Sequence, residues 1–431
     1  MDKTTKIEVP ILARVEGEGA LDLEITNGKI TKCDVRIYEP PRYFEKFLEG
    51  REPNDIIDAV ARICGICPLA YQTSMSGAME KIFKVEKSAW VNDARLLMML
   101  GQWIHSQYLH VHLLAAPDFL GYKSGIEMAK DYPNEVLRGV RLQHLGNDIM
   151  KLFGGRSVNP NGVKVGGFWH SPRESVVKAF IPRLKAALED AKGALEFVST
   201  LKFPDVTIPF LQVSLRHPTE YPVLADRIIT SAGEEFPVSE YGNHFKEFHA
   251  PQSTALHATT LNDEPILLGP LSRLNLNFDR LPKHIQDLAN ATGVKFPSNN
   301  MFHSIIARAV EGYWAIERAL QLCETYSYTE TPSVPVKVAA GEAWNAVEAP
   351  RGMQIDWMST DANGLATKIR ISAPTSQNLP CMEADLRVAL EKFGLDRPDN
   401  EIQLHAVMVI RNYDPCISCS AHFLTLNVTR K

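Results

Sequence analysis

The chain has 431 residues, of which 45% are apolar and 23% are charged, and its formal net charge at pH 7 is −5. This length and composition allow a large buried core and exclude a disordered or fibrous protein. Acidic and basic residues are interspersed along the chain, which argues against binding to nucleic acid or to an anionic membrane surface. Small molecules and protein partners are therefore the expected ligands.

The N-terminal part, about residues 1–40, is expected to form antiparallel β structure. Its opening sequence, MDKTTKIEVPILARVEG, contains neither an apolar signal core nor a twin-arginine signal, so we expect a cytoplasmic protein. In residues 20–39, apolar and polar side chains alternate around Asn27-Gly28. That pair favours a two-residue turn, and the pattern predicts a hairpin of two twisted strands.

Helical periodicity dominates about residues 41–330. Apolar residues recur at spacings of three and four, which predicts helices at 42–50, after Cys67, and at 90–115, 134–153, 172–202 and 302–327. Several of these segments are long enough for a helical bundle. The most apolar stretch, 96–120, is interrupted by glutamine and histidine residues, so it predicts a buried helix and not a membrane span.

Mixed loops and short strands are expected at 203–300 and 333–378, and no repeat or linker separates independent units. The predicted fold class is α-rich α+β, with a central bundle of long helices, an N-terminal antiparallel β hairpin or sheet, and mixed peripheral loops. We predict one intergrown domain over residues 1–431. It would comprise a β-containing part of about 1–40, a helical core of about 41–330 and a mixed C-terminal part of about 331–431.

Two CxxC pairs, one near each end of the chain, are the strongest chemical signal. Cys64 and Cys67 stand in RICGIC, and Cys416 and Cys419 stand in DPCISC. Together they can form a four-thiolate metal site, for which structural zinc is the plainest interpretation; a redox-active pair is less favoured. The pairs are far apart for a zinc knuckle, however, and Asp414 places a carboxylate beside the second pair. Thiolates also bind nickel and iron, so spacing leaves the metal open.

Four motifs in order, RVEGEG (14–19), RICGIC (62–67), EAPRG (348–352) and DPCISCSAH (414–422), resemble the large, catalytic subunit of nickel-iron hydrogenases. The resemblance spans essentially the whole chain. The DPCISCS pattern, the shortness of the chain and residues 154–168 are most similar to the cytoplasmic, bidirectional, NAD(P)-linked or sulfhydrogenase branch. The resemblance implies the large-subunit fold and reversible heterolytic cleavage of dihydrogen to protons and electrons.

The resemblance also implies roles for individual residues around the metals. The four cysteines would bind nickel, and Cys67 and Cys419 would also bridge to an iron that carries cyanide and carbon monoxide. A terminal thiolate such as Cys416 would take the proton and pass it to Glu16. Arg351 would lie over the open coordination position, where it would polarise dihydrogen and orient Asp414.

Other matching positions surround this site. By resemblance, Pro350 lies above the metals, and Thr375, which follows Pro374, donates to an iron-bound cyanide. A loop hydroxyl that caps the local backbone is an equally good interpretation of Thr375 from sequence alone. Further positions would bind a magnesium or iron(II) ion near the C-terminus, namely Glu45, a main-chain carbonyl near Ile371, and His422.

The chain departs from many relatives at four positions, which are Tyr71, Ser106, Gln107 and Asn159. None is a metal ligand in the family, so metal binding should survive while hydrogen bonds around the metals change. The chain has no cysteines to spare for iron-sulfur clusters and no dinucleotide fingerprint after a strand. The resemblance therefore implies an iron-sulfur small subunit and, beyond it, flavin and iron-sulfur subunits that react with NAD(P).

Two alternatives remain open at this point. A zinc-stapled, non-catalytic scaffold subunit of a redox complex would use the same cysteines. A quinone-reductase-like relative of the same fold would have lost them, and this chain keeps all four.

Overall fold

The structure is a computed structural model that describes residues 4–421. Sixteen α-helices lie in this part of the chain: α1 Phe44–Phe47, α2 Pro53–Val60, α3 Pro68–Ile82, α4 Ala89–Leu109, α5 Ala116–Leu120, α6 Gly125–Met128, α7 Pro133–Gly154, α8 Glu174–Lys178, α9 Phe180–Ser199, α10 Tyr241–His244, α11 Pro270–Asn277, α12 Lys283–Ala291, α13 Ser304–Thr325, α14 Pro374–Phe393, α15 Asp399–Asn412 and α16 Ile417–Ser420.

Strands among the same residues form five small sheets. The strands are β1 Thr4–Val9, β2 Gly19–Thr26, β3 Lys29–Ile37, β4 Val163–Lys164, β5 Gly167–Phe168, β6 Leu211–Arg216, β7 Arg227–Thr230, β8 Glu235–Pro237, β9 Phe245–His249, β10 Leu256–Thr260, β11 Ile266–Leu267, β12 Gly341–Ala349, β13 Gly352–Thr360 and β14 Ala366–Ser372. Their orders are β1-β2-β3, β4-β5, β9-β10, β11-β6-β7-β8 and β12-β13-β14.

The predicted N-terminal hairpin is confirmed. Strands β2 and β3 pair antiparallel, with Thr26 opposite Lys29, so that only Asn27 and Gly28 form the turn. Both turn residues have positive φ, 51° and 74°, as this tight hairpin turn requires. Strand β1 adds a third antiparallel strand, and the sheet packs its apolar face against α14 and α15.

The centre of the molecule is a bundle of α4, α7, α9 and α13, whose apolar faces form the largest hydrophobic cluster. Helices α4 and α7 approach closely because glycines face each other at the crossing. A Cβ atom on Gly146 would lie 2.4 Å from both the carbonyl oxygen of Gly101 and the backbone nitrogen of His105. Helix α4 continues through a π-helical turn, His110–Ala115, into α5, so the predicted helix at 90–115 runs further than expected.

The C-terminal part contains a three-stranded antiparallel meander, β12-β13-β14, against which α3 packs. Its central strand is buried on both faces over its first five residues, and the buried residues include the polar Gln354 and Asp356. The meander turns at Pro350 and Arg351, because Ala349 pairs directly with Gly352. The EAPRG motif therefore forms a tight hairpin tip inside the protein.

Several predicted boundaries were wrong. The helix expected at 42–50 is only four residues long, and the one at 172–202 is two helices separated at Ala179. The segments expected as loops and short strands contain helices α11 and α12 and the nine-residue strands β12 and β13. Helix α14 begins at Pro374, within a stretch expected to be mixed, and includes Pro380 in its interior.

The fold class predicted from the sequence is confirmed: helices form the body and small antiparallel sheets lie around them. Over residues 4–421, no helix combines the length and apolarity needed to cross a membrane. The organisation of the chain as one intergrown domain stays a prediction.

Candidate metal centre

The cysteines from the two ends of the chain meet at one buried point. Cys64 and Cys67 lie in the loop that leads into α3, while Cys416 and Cys419 lie at the start and within α16. The sulfur atoms are 3.2 Å apart for Cys64 and Cys416, 3.2 Å for Cys67 and Cys419, and 2.6 Å for Cys416 and Cys419. All four lie within 4.8 Å of one another and all four residues are buried. The convergence predicted from the motifs is confirmed.

The N-terminal segment ties the two cysteine loops together. The backbone N–H of Ile417 donates to the carbonyl of Glu16 at 2.9 Å, which joins the RVEGEG segment to α16. The guanidinium of Arg42 donates to the carbonyls of Ile63 and Ser418, each at 2.6 Å, and these residues belong one to each cysteine loop. Hydrogen bonds to backbone carbonyls thereby fix residues distant in sequence around the sulfurs.

The four buried sulfurs form a set of ligands that is suited to a metal cation. Burial raises the pKa of the Cys416 and Cys419 thiols well above its usual value, whereas a hydrogen bond from Cys416 lowers the pKa of Cys64. Several buried thiolates in contact repel one another unless a positive ion compensates their charge. A thiophilic transition metal fits this set because soft sulfur ligands favour such ions.

Glu16 lies directly beside the sulfur cluster. Its Oε2 atom is 3.2 Å from Sγ of Cys416 and accepts a hydrogen bond from the backbone N–H of Ser418 at 3.1 Å. Burial, followed by the negative charge of Cys64, raises the pKa of Glu16 above its usual value. The structure thus places the predicted proton carrier within hydrogen-bond reach of the predicted terminal thiolate.

Arg351 and Asp414 form a buried pair next to the cysteines. Nη2 of Arg351 donates to Oδ1 of Asp414 at 2.9 Å, and Nε donates to the carbonyl oxygen of the same residue at 2.7 Å. Nη1 lies 3.3 Å from Oγ of Ser106. Asp414 adopts a left-handed backbone conformation, with φ of 55°, two residues before Cys416. Both predicted residues are therefore brought to the site.

The remaining predicted residues around the metals lie in the β12–β13 turn and at the start of α14. Pro350 immediately precedes Arg351 in the hairpin turn, and Pro374 is the first residue of α14. Oγ1 of Thr375 accepts a hydrogen bond from the backbone N–H of Cys416 at 2.9 Å. The hydroxyl of Thr375 therefore orients the backbone of a cysteine, and its donation to a cyanide stays a prediction.

Two of the three predicted positions for the second cation lie together. Oε1 of Glu45, on α1, accepts a hydrogen bond at 2.8 Å from the backbone N–H of Ile371, on β14. Burial raises the pKa of Glu45 to about 7. His422 lies outside the described residues, and it directly follows Ala421, whose carbonyl accepts from the N–H of Arg42 at 3.2 Å.

A buried acid near Glu45 was missed from the sequence. Asp356 is the cross-strand partner of Ile371 and is 0% exposed. Nε2 of Gln354 donates to its Oδ1 at 2.8 Å, and within residues 4–421 its Oδ2 has no hydrogen-bond partner. Burial raises the pKa of Asp356 to about 7, and the charge of Glu45 contributes. No motif surrounds this residue, so only the strand register could have found it.

The four departures from the family pattern have different surroundings. The hydroxyl of Tyr71 lies 3.5 Å from the carbonyl oxygen of Cys419, and Ser106 contacts Arg351. Gln107 bridges two buried charged groups, as described below. Asn159 lies in a surface loop in a left-handed conformation with φ of 48°. Three of the four thus lie close to the predicted site or its hydrogen-bond network.

A second group of buried charges was also missed. Arg308 donates to Oδ2 of Asp414 at 3.1 Å and is 0% exposed. Farther from the sulfurs, Arg273 forms ion pairs of 2.8 Å with Glu311 and with Glu348. Arg273, Arg308 and Glu311 occur outside the recognised motifs, at helical positions that resemble an ordinary amphipathic pattern.

Comparison with known proteins identifies the family. A family model described as nickel-dependent hydrogenase matches residues 42–133 and 233–422. The chain is 31% identical to sulfhydrogenase 1 subunit alpha of Pyrococcus furiosus over 424 residues, which cover 97% of this chain and 98% of that protein. It is 29% identical to sulfhydrogenase 2 subunit alpha of the same organism, with 97% and 100% covered.

The fold is shared with solved hydrogenases. The structure superposes on a chain of an NAD+-reducing [NiFe]-hydrogenase in the H2-reduced state with a TM-score of 0.90 and 20% identity, covering 97% of this chain and 99% of that one. These findings confirm the family and the fold expected from the four motifs. The chain therefore belongs to the nickel-dependent hydrogenases.

Proposed function

We propose that this chain is the catalytic subunit that splits and forms dihydrogen, and that its four cysteines hold a nickel-iron centre. The observation that carries the proposal is the convergence of four sulfurs from both ends of the chain within 4.8 Å in a buried site. Burial excludes water, and soft thiolate donors suit nickel and iron. When bound, such a centre supplies the redox chemistry that takes two electrons from dihydrogen.

The family resemblance supports a division of roles among the four cysteines. We propose that Cys67 and Cys419 would hold both nickel and an iron that carries cyanide and carbon monoxide. Cys64 and Cys416 would then be terminal ligands of nickel. The sulfur of Cys416 lies 3.2 Å from the carboxylate of Glu16, which makes it well placed to take up a proton and pass it on.

The chain itself would move the proton. Complete oxidation of dihydrogen releases two protons and two electrons; the centre would take up the electrons, and we propose that each proton leaves through Sγ of Cys416 to Oε2 of Glu16. The 3.2 Å separation suits direct transfer, and burial raises the pKa of Glu16, which makes its carboxylate a better proton acceptor than an exposed one. Arg351 would orient and polarise dihydrogen as a fixed cation whose position is set by Asp414.

A second cation would brace the C-terminal end of the chain. We propose that magnesium or iron(II) is bound by Glu45, by the main-chain carbonyl of Ile371 or a neighbour, and by His422. The hydrogen bond between Glu45 and Ile371 supports this location, and so does the burial of a carboxylate there. Removal of the cation with a chelator should lower the thermal stability of the enzyme, and added Mg2+ should restore it.

Electrons must leave through a partner, because the cysteines outside the centre, Cys33, Cys323 and Cys381, are isolated and buried. We propose an iron-sulfur small subunit that docks over the cysteine loop, and flavin and iron-sulfur subunits that pass electrons to NAD(P). Gly65, between two of the ligands, is exposed, and Val158 beside it is 55% exposed. An apolar surface at this point is suited to a close-packed partner.

This interface can be tested by co-purification. Val158→Asp should reduce recovery of the iron-sulfur subunit with this chain, because it places a charge in an apolar contact. Leu404→Asp, at a side chain of α15 that is 63% exposed, serves as the control and should leave recovery unchanged. Equal recovery with both variants would contradict the proposed docking surface. Fractionation of cells would test the proposed cytoplasmic location.

Elemental analysis combined with infrared spectroscopy tests the proposed centre. The purified enzyme should contain about one nickel per chain together with iron, and it should show the stretching bands of cyanide and carbon monoxide. Zinc as the sole metal would instead support a stapled, non-catalytic scaffold.

A further inference from the structure

A second arginine, Arg273, binds the backbone of the two residues that precede Arg351. Nη1 of Arg273 donates to the carbonyl of Ala349 at 2.6 Å, and Nη2 donates to the carbonyl of Pro350 at 2.9 Å. These are the two residues that lead into Arg351 at the tip of the β12–β13 hairpin. The position of the hairpin tip therefore depends on where Arg273 is held.

Arg273 is itself fixed by two carboxylates. Its Nε and Nη2 atoms donate to the two oxygens of Glu311, each at 2.8 Å, and its Nη1 donates to Glu348 at 2.8 Å. Arg273 and Glu311 are both 0% exposed. A two-pronged ion pair of this kind fixes direction as well as distance, because the guanidinium and the carboxylate are both planar.

Gln107 connects this pair to the other side of Arg351. Its Nε2 donates to Oε2 of Glu311 at 2.6 Å, and its Oε1 accepts from Nη1 of Arg308 at 2.7 Å. A carboxylate can only accept and a guanidinium can only donate, so only one orientation of the amide satisfies both neighbours. Gln107 is thus a neutral bridge between a buried anion and a buried cation.

Arg308 connects Gln107 to Asp414 and so completes a closed network of hydrogen bonds. Its Nη1 also donates to Oδ2 of Asp414 at 3.1 Å, and Oδ1 of Asp414 accepts from Nη2 of Arg351 at 2.9 Å. We call the resulting set the arginine ring, which consists of Arg351, Asp414, Arg308, Gln107, Glu311, Arg273 and the carbonyl of Pro350. Each side chain of the ring is at most 3% exposed.

We propose that Gln107 and Arg308 are positioning residues that determine where the guanidinium of Arg351 lies over the cysteines. The inference rests on the proposed function, since it presumes that Arg351 acts on dihydrogen. Within residues 4–421, Nε and Nη2 of Arg308 have no hydrogen-bond partner, so its hydrogen bonds to Asp414 and Gln107 are what hold it in place. Loss of the amide bridge frees Arg308, which then releases Asp414 and, through it, Arg351.

A double-mutant cycle tests the inference. Gln107→Met removes the hydrogen bonds to Glu311 and Arg308, and also the longer one of 3.5 Å to the carbonyl of Pro350, at nearly constant volume. It should lower kcat for hydrogen uptake about tenfold, because small displacements of a catalytic group are costly. In an Arg351→Lys background the same substitution should change kcat by less than about twofold, since its target is already altered. Nickel and iron content should stay at the wild-type level.

A matched control separates position from stability. Gln212 is another buried glutamine, 3% exposed, whose amide bonds to Ser298 and Asn299 outside the ring. Gln212→Met should cost stability like any buried glutamine substitution and leave kcat unchanged. Wild-type kcat in Gln107→Met, or an equal tenfold loss in both backgrounds, would overturn the inference.

Arg308→Lys provides the second variant if Gln107→Met fails to load metal. A lysine keeps the charge and can reach Asp414 or Gln107 but cannot reproduce the planar fork, so the same non-additivity with Arg351→Lys is expected. Loss of metal in both variants would overturn the inference, because the ring would then serve folding. If the wild type is active and the effects of the two substitutions on kcat are additive, only the positioning role of the arginine ring is refuted. If the wild type holds no nickel or does not turn over hydrogen, the proposed function is refuted together with it.

Discussion

Glu16→Gln is the perturbation that bears most directly on the proton route. Glutamine keeps the shape of the side chain, and its carbonyl oxygen can still accept from the N–H of Ser418, as Oε2 of Glu16 does at 3.1 Å. It cannot take a proton from Sγ of Cys416, which lies 3.2 Å away. The four sulfurs are untouched by the change, so nickel and iron should load as in the wild type.

The size of the effect follows from the geometry. A positioned side chain that accepts a proton in the rate-limiting step accelerates the reaction by about 10²- to 10⁴-fold. Glu16 is only partly buried, so water can replace it in part, and we expect the lower end, about 10²-fold slower turnover. That factor corresponds to about 2.7 kcal/mol of activation free energy.

The assay compares hydrogen uptake and the exchange of deuterium gas with water protons. Both should fall together in Glu16→Gln, since both need the proton to leave the site. Glu18→Gln is the matched control, because Glu18 belongs to the same RVEGEG motif but its side chain is exposed. Turnover in Glu16→Gln within about twofold of the wild type, with full metal content, would refute this proton route.

Three further outcomes are expected. Cys419→Ser should abolish nickel loading and hydrogen uptake, because a serine hydroxyl is a poor ligand for a soft metal ion; a loaded and active variant, by elemental analysis and gas uptake, would contradict the ligand assignment. Burial raises the pKa of Asp385 to about 6, so the folded state binds its proton more tightly, and Asp385 should contribute a fall of about 3 kcal/mol in the free energy of unfolding as pH rises from about 4 to 6. Urea unfolding across this range should lose that slope in Asp385→Asn, and an unchanged slope would refute the assignment. Gly146→Ala should lower the free energy of unfolding by about 1–3 kcal/mol, and with it the melting temperature, because the added Cβ would clash with the backbone of α4. Gly242→Ala, where the added Cβ would lie 3.9 Å from Trp344, is the control and should have little effect on the melting temperature.

The features that the sequence predicted well are those that depend on local patterns of residues. The turn at Asn27 and Gly28 follows from two adjacent residues that tolerate positive φ. The cysteine cluster follows from two CxxC pairs, although the meeting of the pairs depends on the resemblance and not on their spacing. Long helices such as α7 and α13 follow from periodic apolar residues over many turns.

The features that the sequence did not predict depend on contacts between distant segments. Strand β13 alternates between apolar and polar residues from Met353 to Trp357, yet its polar residues Gln354 and Asp356 are buried, so the pattern alone would assign them to a solvent-facing side that the strand does not have there. Asp356 is recognisable as a buried acid near Glu45 only once β13 and β14 are in register. Arg273 and Arg308 look like ordinary polar positions on helices, and their partners lie dozens of residues away, so no local pattern could reveal the arginine ring.

The central claim is that the sulfurs of the four cysteines hold nickel and iron. Anomalous X-ray diffraction from crystals of the active enzyme, recorded at the nickel, iron and zinc absorption edges, tests it most directly. We predict a nickel peak bonded to the sulfurs of Cys64, Cys67, Cys416 and Cys419, with an iron peak next to it on the side of Cys67 and Cys419. A zinc peak at these sulfurs, or nickel bound anywhere else in the chain, would contradict the account.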